Sequence, residues 1–168
     1  MKRIYKVLLN SLIVMGLTLA GNAQNSQKLK DSASIHHLII RLFDGMREGD
    51  SAKVSSTFHK EVKMYTSFTD KEGQLVLKEG TLASFLNAVG TPHDKVWDEK
   101  LWGTKIQIDG GIAQVWTDYN FYINEEFSHC GIDAFHLVKE SSGQWKIIHL
   151  MDTRRKEGCI TNVLRSDY

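Results

Sequence analysis

The chain has 168 residues, with 21 Lys+Arg against 20 Asp+Glu, and two cysteines. That length suits one domain with a real core but not two. The charge is balanced, and Lys and Arg are scattered except at Arg154-Arg155-Lys156, so there is no electrostatic footprint for nucleic acid or an anionic membrane surface.

The first 23 residues read as a cleavable secretory signal peptide. Lys2, Arg3 and Lys6 make a positive start, and Val7 to Ala20 is an apolar run broken only by Asn10, Ser11, Gly16 and Thr18. Gly21-Asn22-Ala23 places small residues before a cut at Gln24. The run is short of the roughly 20 residues that a permanent span needs. Membrane contact is therefore expected only through the signal peptide, with an uncleaved anchor as the alternative. No Cys follows the cut, which argues against a lipid anchor. The mature chain is expected in the periplasm or outside the cell. It keeps 18 Lys+Arg against 20 Asp+Glu, so it is mildly acidic. In an oxidising compartment Cys130 and Cys159 are free to form a disulfide, and two unpaired thiols are the alternative. No CxxC or zinc-like Cys/His spacing occurs, so neither a metal site nor a cofactor is expected.

Residues 24–33 are polar and are expected as a disordered lead-in. Ile35, Leu38, Ile39, Leu42, Phe43 and Met46 then form one apolar helical stripe, with Gly49 at the C-cap position. Asp50 or Ser51 can cap a short second helix carrying Ala52, Val54 and Phe58. From His59 the period changes to two: Val62 and Met64 alternate with polar neighbours, and a turn over 70–74 leads into Leu75-Val76-Leu77. A third helix is predicted over 81–89, ended by Gly90 and Pro92. Four long strands follow, over 95–109, 112–124, 127–139 and 144–153, joined by Asp-Gly-Gly, Asn-Glu-Glu and Ser-Ser-Gly turns. The domain is expected to span 34–155, with a loose polar tail over 156–168. The predicted class is α+β: a curved antiparallel sheet, made of a four-strand meander and a short strand pair, wrapped around three helices. Helices that cover one face of such a sheet leave a cavity at its wide end.

Several segments carry a resemblance: the stripe Ile35–Met46 running into Arg47-Glu48-Gly49-Asp50, Phe58-His59, the strand from Ala113 to Tyr119, and Gly143-Gln144-Trp145-Lys146-Ile147. In this order they resemble the nuclear transport factor 2-like superfamily. That cone-shaped α+β fold also houses ketosteroid isomerase, scytalone dehydratase and SnoaL-like polyketide cyclases. The chain looks most like small exported bacterial members, some described as lumazine-binding-like. The resemblance implies a pocket for a small hydrophobic or aromatic ligand. It supplies no catalytic set, since the fold hosts enzymes and binders alike.

Register suggests which side chains face that pocket. If Ser141-Ser142-Gly143 is a three-residue loop, Glu140 pairs with Gln144. Leu137 then faces Ile147, Phe135 faces His149 and Asp133 faces Met151. Partners share a face, so Asp133, Phe135, Leu137, Trp145, Ile147, His149 and Met151 are expected together on the concave side. Val115, Thr117, Tyr119 and Phe121 form the matching set on the preceding strand. The polar members suggest acid–base chemistry by Asp133 and His149, assisted by the Tyr119 hydroxyl. Val115, Phe121, Phe135, Trp145 and Met151 are the expected ligand contacts. The alternative is that Asp133 and His149 merely satisfy one another or a backbone group, and a bulge would swap the faces. His129 shares a strand face with Asp133. On the outer face Trp116, Asp118, Asn120 and Tyr122 would serve a homodimer.

The functional expectation is an exported small-molecule-binding pocket protein. The alternative is a lyase or isomerase of the ketosteroid isomerase or polyketide cyclase type.

Overall fold

The computed structural model describes the backbone from residue 2 to 161 and side chains from 24 to 161. The side chains of the expected signal peptide lie outside the described residues. Among the described residues no helix is long and apolar enough to cross a membrane. Two compact units divide the chain, residues 1–34 and 35–168.

The first helix, α1, runs Lys2–Glu48. Residues 24–33, expected as disordered, are helical. Gln27, Lys28, Leu29 and Lys30 are good helix formers, and extending an existing helix adds one bond per residue fixed. Gln27 bonds Asp31 one turn on, at 3.2 Å, and the Ser34 hydroxyl bonds the Lys30 carbonyl at 2.9 Å.

In the second unit the stripe from Ile35 to Met46 supplies one side of the core. Ile35, Ile39 and Leu42 are at most 1% exposed. Gly49, at φ +69°, ends α1, and the Asp50 carboxylate accepts from the Lys53 amide to cap α2 (Ser51–Ser55). Gly45 lets the two helices meet, since a Cβ there would lie 2.8 Å from Val54 Cγ2. Strands β1 (Phe58–Thr69) and β2 (Leu75–Gly80) form a hairpin. Thr81 caps α3 (Leu82–Gly90) through the Ser84 amide. The meander follows as β3 (Trp97–Asp109), β4 (Ile112–Ile123), β5 (Glu126–Lys139) and β6 (Trp145–Arg154).

The sheet order is β2-β1-β6-β5-β4-β3. It is mixed rather than wholly antiparallel, because β1 lies parallel to β6 while the other neighbours run antiparallel. The helices cover its concave face. Phe43 packs edge-on to Phe135 with ring centres 6.3 Å apart, and Phe58 meets Phe85 at 6.2 Å. Arg47 ties the end of α1 to β3 by bonding Asp98 at 3.2 Å.

Two local features control what faces inward. The loop after β5 forms as the turn chemistry predicts: the Glu140 amide bonds the Gln144 carbonyl at 2.8 Å, and Gly143 sits at φ +84°. The predicted register holds from Lys139↔Trp145 to Leu137↔Ile147, then shifts, and His136 pairs with His149. Ile148 is the extra residue. Near this point the Ile147 amide bonds the Thr57 carbonyl at 3.0 Å, where the chain enters β1. One inserted residue reverses every later side chain of β6.

The segment after β6, expected as loose, is fixed as far as Ile160. Arg155 exchanges two backbone bonds of 2.9 Å with Cys130. A disulfide joins Cys130 to Cys159, and Asn120 Nδ2 donates to the Ile160 carbonyl at 2.8 Å. Asn120, expected on a dimer face, is only 2% exposed under this segment, whereas Trp116 on the same face is 53% exposed.

Candidate functional site

The inner residues of β4 alternate as expected. At the narrow end Val115 is buried with Phe135, Leu137, Trp145 and Ile147 in the core. Toward the wide end Thr117 is buried and Tyr119 and Phe121 border a cavity of about 750 Å³. Leu42, Phe43 and Met46 of α1 and Phe85 of α3 close it from above, with Trp97 of β3 at its side. A more open depression of about 980 Å³ adjoins it and shares Thr66, His129 and Arg154. The chemistry concentrates in the smaller, deeper space, because that is where the buried carboxyl groups lie.

Asp133 stands on β5 opposite Thr117 on one side and Asp152 on the other. It is 4% exposed. Glu99 reaches it from β3, and the Glu99 carboxyl donates a hydrogen bond to the Asp133 carboxylate. Burial among apolar walls pushes Asp133 up to about 7; the Asp152 charge adds to this, while the bond from Glu99 and the Arg154 charge oppose it. Burial, followed by the neighbouring Asp133 charge and hydrogen bond, holds Glu99 well above the usual carboxylate range. Glu99 borders open cavity and is only half-buried by exposure, yet the apolar walls around it still strip bulk solvent. The two adjacent carboxyls titrate as a pair, and burial favours the protonated form of each. Oδ2 of Asp133 has no hydrogen-bond partner among the described residues.

Asp152 is differently placed. Its Oδ1 accepts from Thr66 Oγ1 at 2.6 Å and its Oδ2 from Arg154 Nε at 2.8 Å. Both residues face inward because of the bulge at Ile148. His129, on the same face as Asp133, lies tilted against Phe121 at 4.9 Å, and its Nδ1 is 3.0 Å from Ser128 Oγ. Burial first, then the Arg154 charge, lower His129 to about 4, so its imidazole is neutral at neutral pH. The Tyr119 hydroxyl donates to the Thr153 carbonyl at 2.8 Å, and burial raises its pKa further. Its proton is therefore pointed at the backbone rather than at Asp133. Gly131, the cross-strand partner of Tyr119, makes this contact feasible, since a Cβ there would fall 1.7 Å from the Thr153 oxygen.

Of the residues named from sequence, Asp133, Tyr119 and Phe121 border the cavity. Val115, Phe135 and Trp145 share its face but lie in the packed core beneath it. His149 and Met151 do not join them. Beyond the bulge both point to the other face, where His149 Nδ1 lies 3.2 Å from His136 Nδ1 and its ring meets Tyr65. The pairing of Asp133 with His149 is therefore corrected to Asp133 with Glu99 and Asp152. Glu99 was missed although Trp97-x-Glu99-x-Leu101 alternates correctly, because the register shift between Trp102 and Lys105 breaks the pattern halfway along β3. Asp152 and Arg154 carried no sequence signal, since their facing depends on the bulge. Among the described residues no group of three or more His, Cys, Asp or Glu side chains is arranged to hold a metal ion.

Comparison with known proteins fits this geometry. An NTF2-like protein with a cystatin-like fold from Novosphingobium aromaticivorans overlays with a TM-score of 0.63 at 13% identity, covering 82% of this chain and 89% of that one. An NTF2-like protein of unknown function from Shewanella baltica gives 0.57 at 14% identity, covering 76% and 95%. A protein named "Putative Scytalone Dehydratase" from Novosphingobium aromaticivorans gives 0.60 at 13% identity, covering 76% and 86%. Identities this low establish the fold alone. No curated protein matches the sequence. The fold is that of these NTF2-like structures, and the family model described as "Putative lumazine-binding" matches residues 30–151, which shows that the chain belongs to this family.

Proposed function

We propose that this chain is an exported protein that binds a small, partly aromatic molecule in the cavity between the helices and the sheet. The observation that carries the reading is a largely apolar-walled space of about 750 Å³ bordered by the buried Asp133 carboxylate, whose Oδ2 has no hydrogen-bond partner among the described residues, and by Glu99 beside it. A pocket of this size, with apolar walls and a few convergent polar groups, is the usual form of a small-molecule site. Burying an incompletely bonded carboxylate costs stability that a ligand could offset. The export half of the proposal rests on the signal-peptide pattern at residues 1–23, and a secreted product beginning at Gln24 by mass spectrometry would support it.

A second reading has its own support. A carboxyl pair that exchanges a proton near neutral pH can remove and return a proton on an enolisable or dehydratable ligand. In that reading Asp133 is the base and Glu99 holds the proton returned. His149 has no part, and Tyr119 acts by fixing the β6 backbone.

The test uses 2-naphthol as a probe, titrated by calorimetry into the mature protein and into Ala88→Trp. Ala88 borders the cavity from α3, and a tryptophan there fills it. Saturable binding to the wild type that is lost in the variant is the expected result. Equal binding to both proteins, or none to the wild type, would sink the pocket reading.

A further inference from the structure

The same cavity carries information about the chemistry of its ligand. Asp133 is 4% exposed, borders the cavity, and leaves Oδ2 without a hydrogen-bond partner among the described residues. Its neighbour Glu99 borders the same space. The two carboxyls present acceptor oxygens to a largely apolar interior, and a negative charge once Asp133 has lost its proton. The cation nearest in the wall, Arg154, is committed to Asp152 at 2.8 Å. Lys78 and Glu79 enter from β2, where both are exposed at the mouth. His129 on β5 adds no charge at neutral pH, and Tyr119 on β4 spends its proton on Thr153. Tyr65 of β1 borders the wall without a formal charge. From α1 and α3 the wall receives Leu42, Phe43, Met46, Ser84, Phe85 and Ala88, none of them charged. The deep end is thus acidic and acceptor-rich, and the sides are flat and aromatic.

We propose that the cavity selects a flat aromatic base whose cationic, amidine-type N–H edge bonds Asp133 and Glu99 while its ring lies between Trp97, Phe121 and Phe85. This rests on the pocket reading above and deepens it by naming the ligand class. A cation of charge +1 neutralises the charge that Asp133 carries above about pH 7. Two N–H donors in one plane match the oxygens of a carboxylate, as they do in guanidinium–carboxylate pairs. An anionic ligand of the same shape would instead meet a like charge in a low-dielectric space.

The experiment compares benzamidine, its neutral counterpart benzamide, and benzoate by calorimetry on the mature protein, alongside the naphthol probe. Benzamidine is expected to bind about tenfold or more tightly than benzamide, the scale of one charge-assisted bond, and benzoate least tightly. The preference should grow as pH rises through about 7, where Asp133 gives up its proton and the pair takes on its negative charge. It should vanish in Asp133→Asn and fall in Glu99→Gln; circular dichroism identifies any variant that fails to fold, and the other then decides. Equal affinity for benzamidine and benzamide, or a preference that survives both substitutions, overturns the proposal. So does the absence of benzamidine binding in a protein that still takes up 2-naphthol, an outcome that leaves the pocket reading standing. Failure of every probe removes both.

Discussion

Replacing Asp133 by Asn should make the protein more stable above neutral pH and flatten its dependence on pH. Unfolded, Asp133 loses its proton near its ordinary value of 3.8; folded, burial holds the proton until about 7. Between those values the folded state binds more protons than the unfolded one, so stability falls as pH rises. At about 1.4 kcal/mol per pH unit over that interval, the loss attributable to this group is on the order of 4 kcal/mol. Glu99 shifts in the same direction, and the two titrate as a pair, so the measured slope belongs to both. Asn has nearly the shape of the protonated acid and can donate to Glu99 through its amide. The two proteins should be about equally stable near pH 4 and diverge up to pH 8, where the variant leads. Urea denaturation at pH 4, 5, 6, 7 and 8 measures this directly. A wild type whose stability is flat or rises over that range would refute the reasoning, and so would a variant that is less stable at pH 8. The same pair of proteins tests the bulge. His149 lies on the opposite face beside His136, so its titration by NMR should be unchanged by the substitution.

Two further outcomes follow from the packing. Cys159→Ser opens a link spanning 29 residues and should cost about 3.5 kcal/mol by the loop-entropy relation. Hydrogen exchange at Cys130 and Arg155 should quicken, and the stability difference from wild type should close in a reductant. Gly131→Ala places a methyl group 1.7 Å from the Thr153 oxygen and 2.7 Å from the Tyr119 ring, so the Tyr119–Thr153 bond must break. A loss of about 3 kcal/mol or more in chemical denaturation is expected; a change within about 0.5 kcal/mol, the range of an ordinary surface substitution, would show that the close contact is wrong.

The sequence by itself determined whatever depends on neighbours along the chain. The 3.6-residue stripe from Ile35 to Met46 named the face of α1 that enters the core. Asp50 and Thr81 capped their helices, and Ser141-Ser142-Gly143 set the first three pairs of the last hairpin. Alternation on β4 brought Tyr119 and Phe121 to the cavity, and Asp133 was identified because a carboxylate stood among inward apolar positions.

Tertiary structure decided the partners of Asp133. The extra residue at Ile148 lies beside the parallel pairing of β6 with β1, strands separated by some eighty residues of sequence, and nothing in the local pattern announces it. Because side chains alternate with a period of two, that one residue sends His149 and Met151 outward and brings Asp152 and Arg154 in. The shift in β3 likewise hid Glu99. The two cysteines could be counted from the sequence, but their bridge required the chain after β6 to turn back across Cys130 and Asn120. Periodicity and turn chemistry are local and legible, whereas a bulge or a returning tail is settled by which distant strand lies alongside. In this protein the latter determines which carboxyls share the pocket.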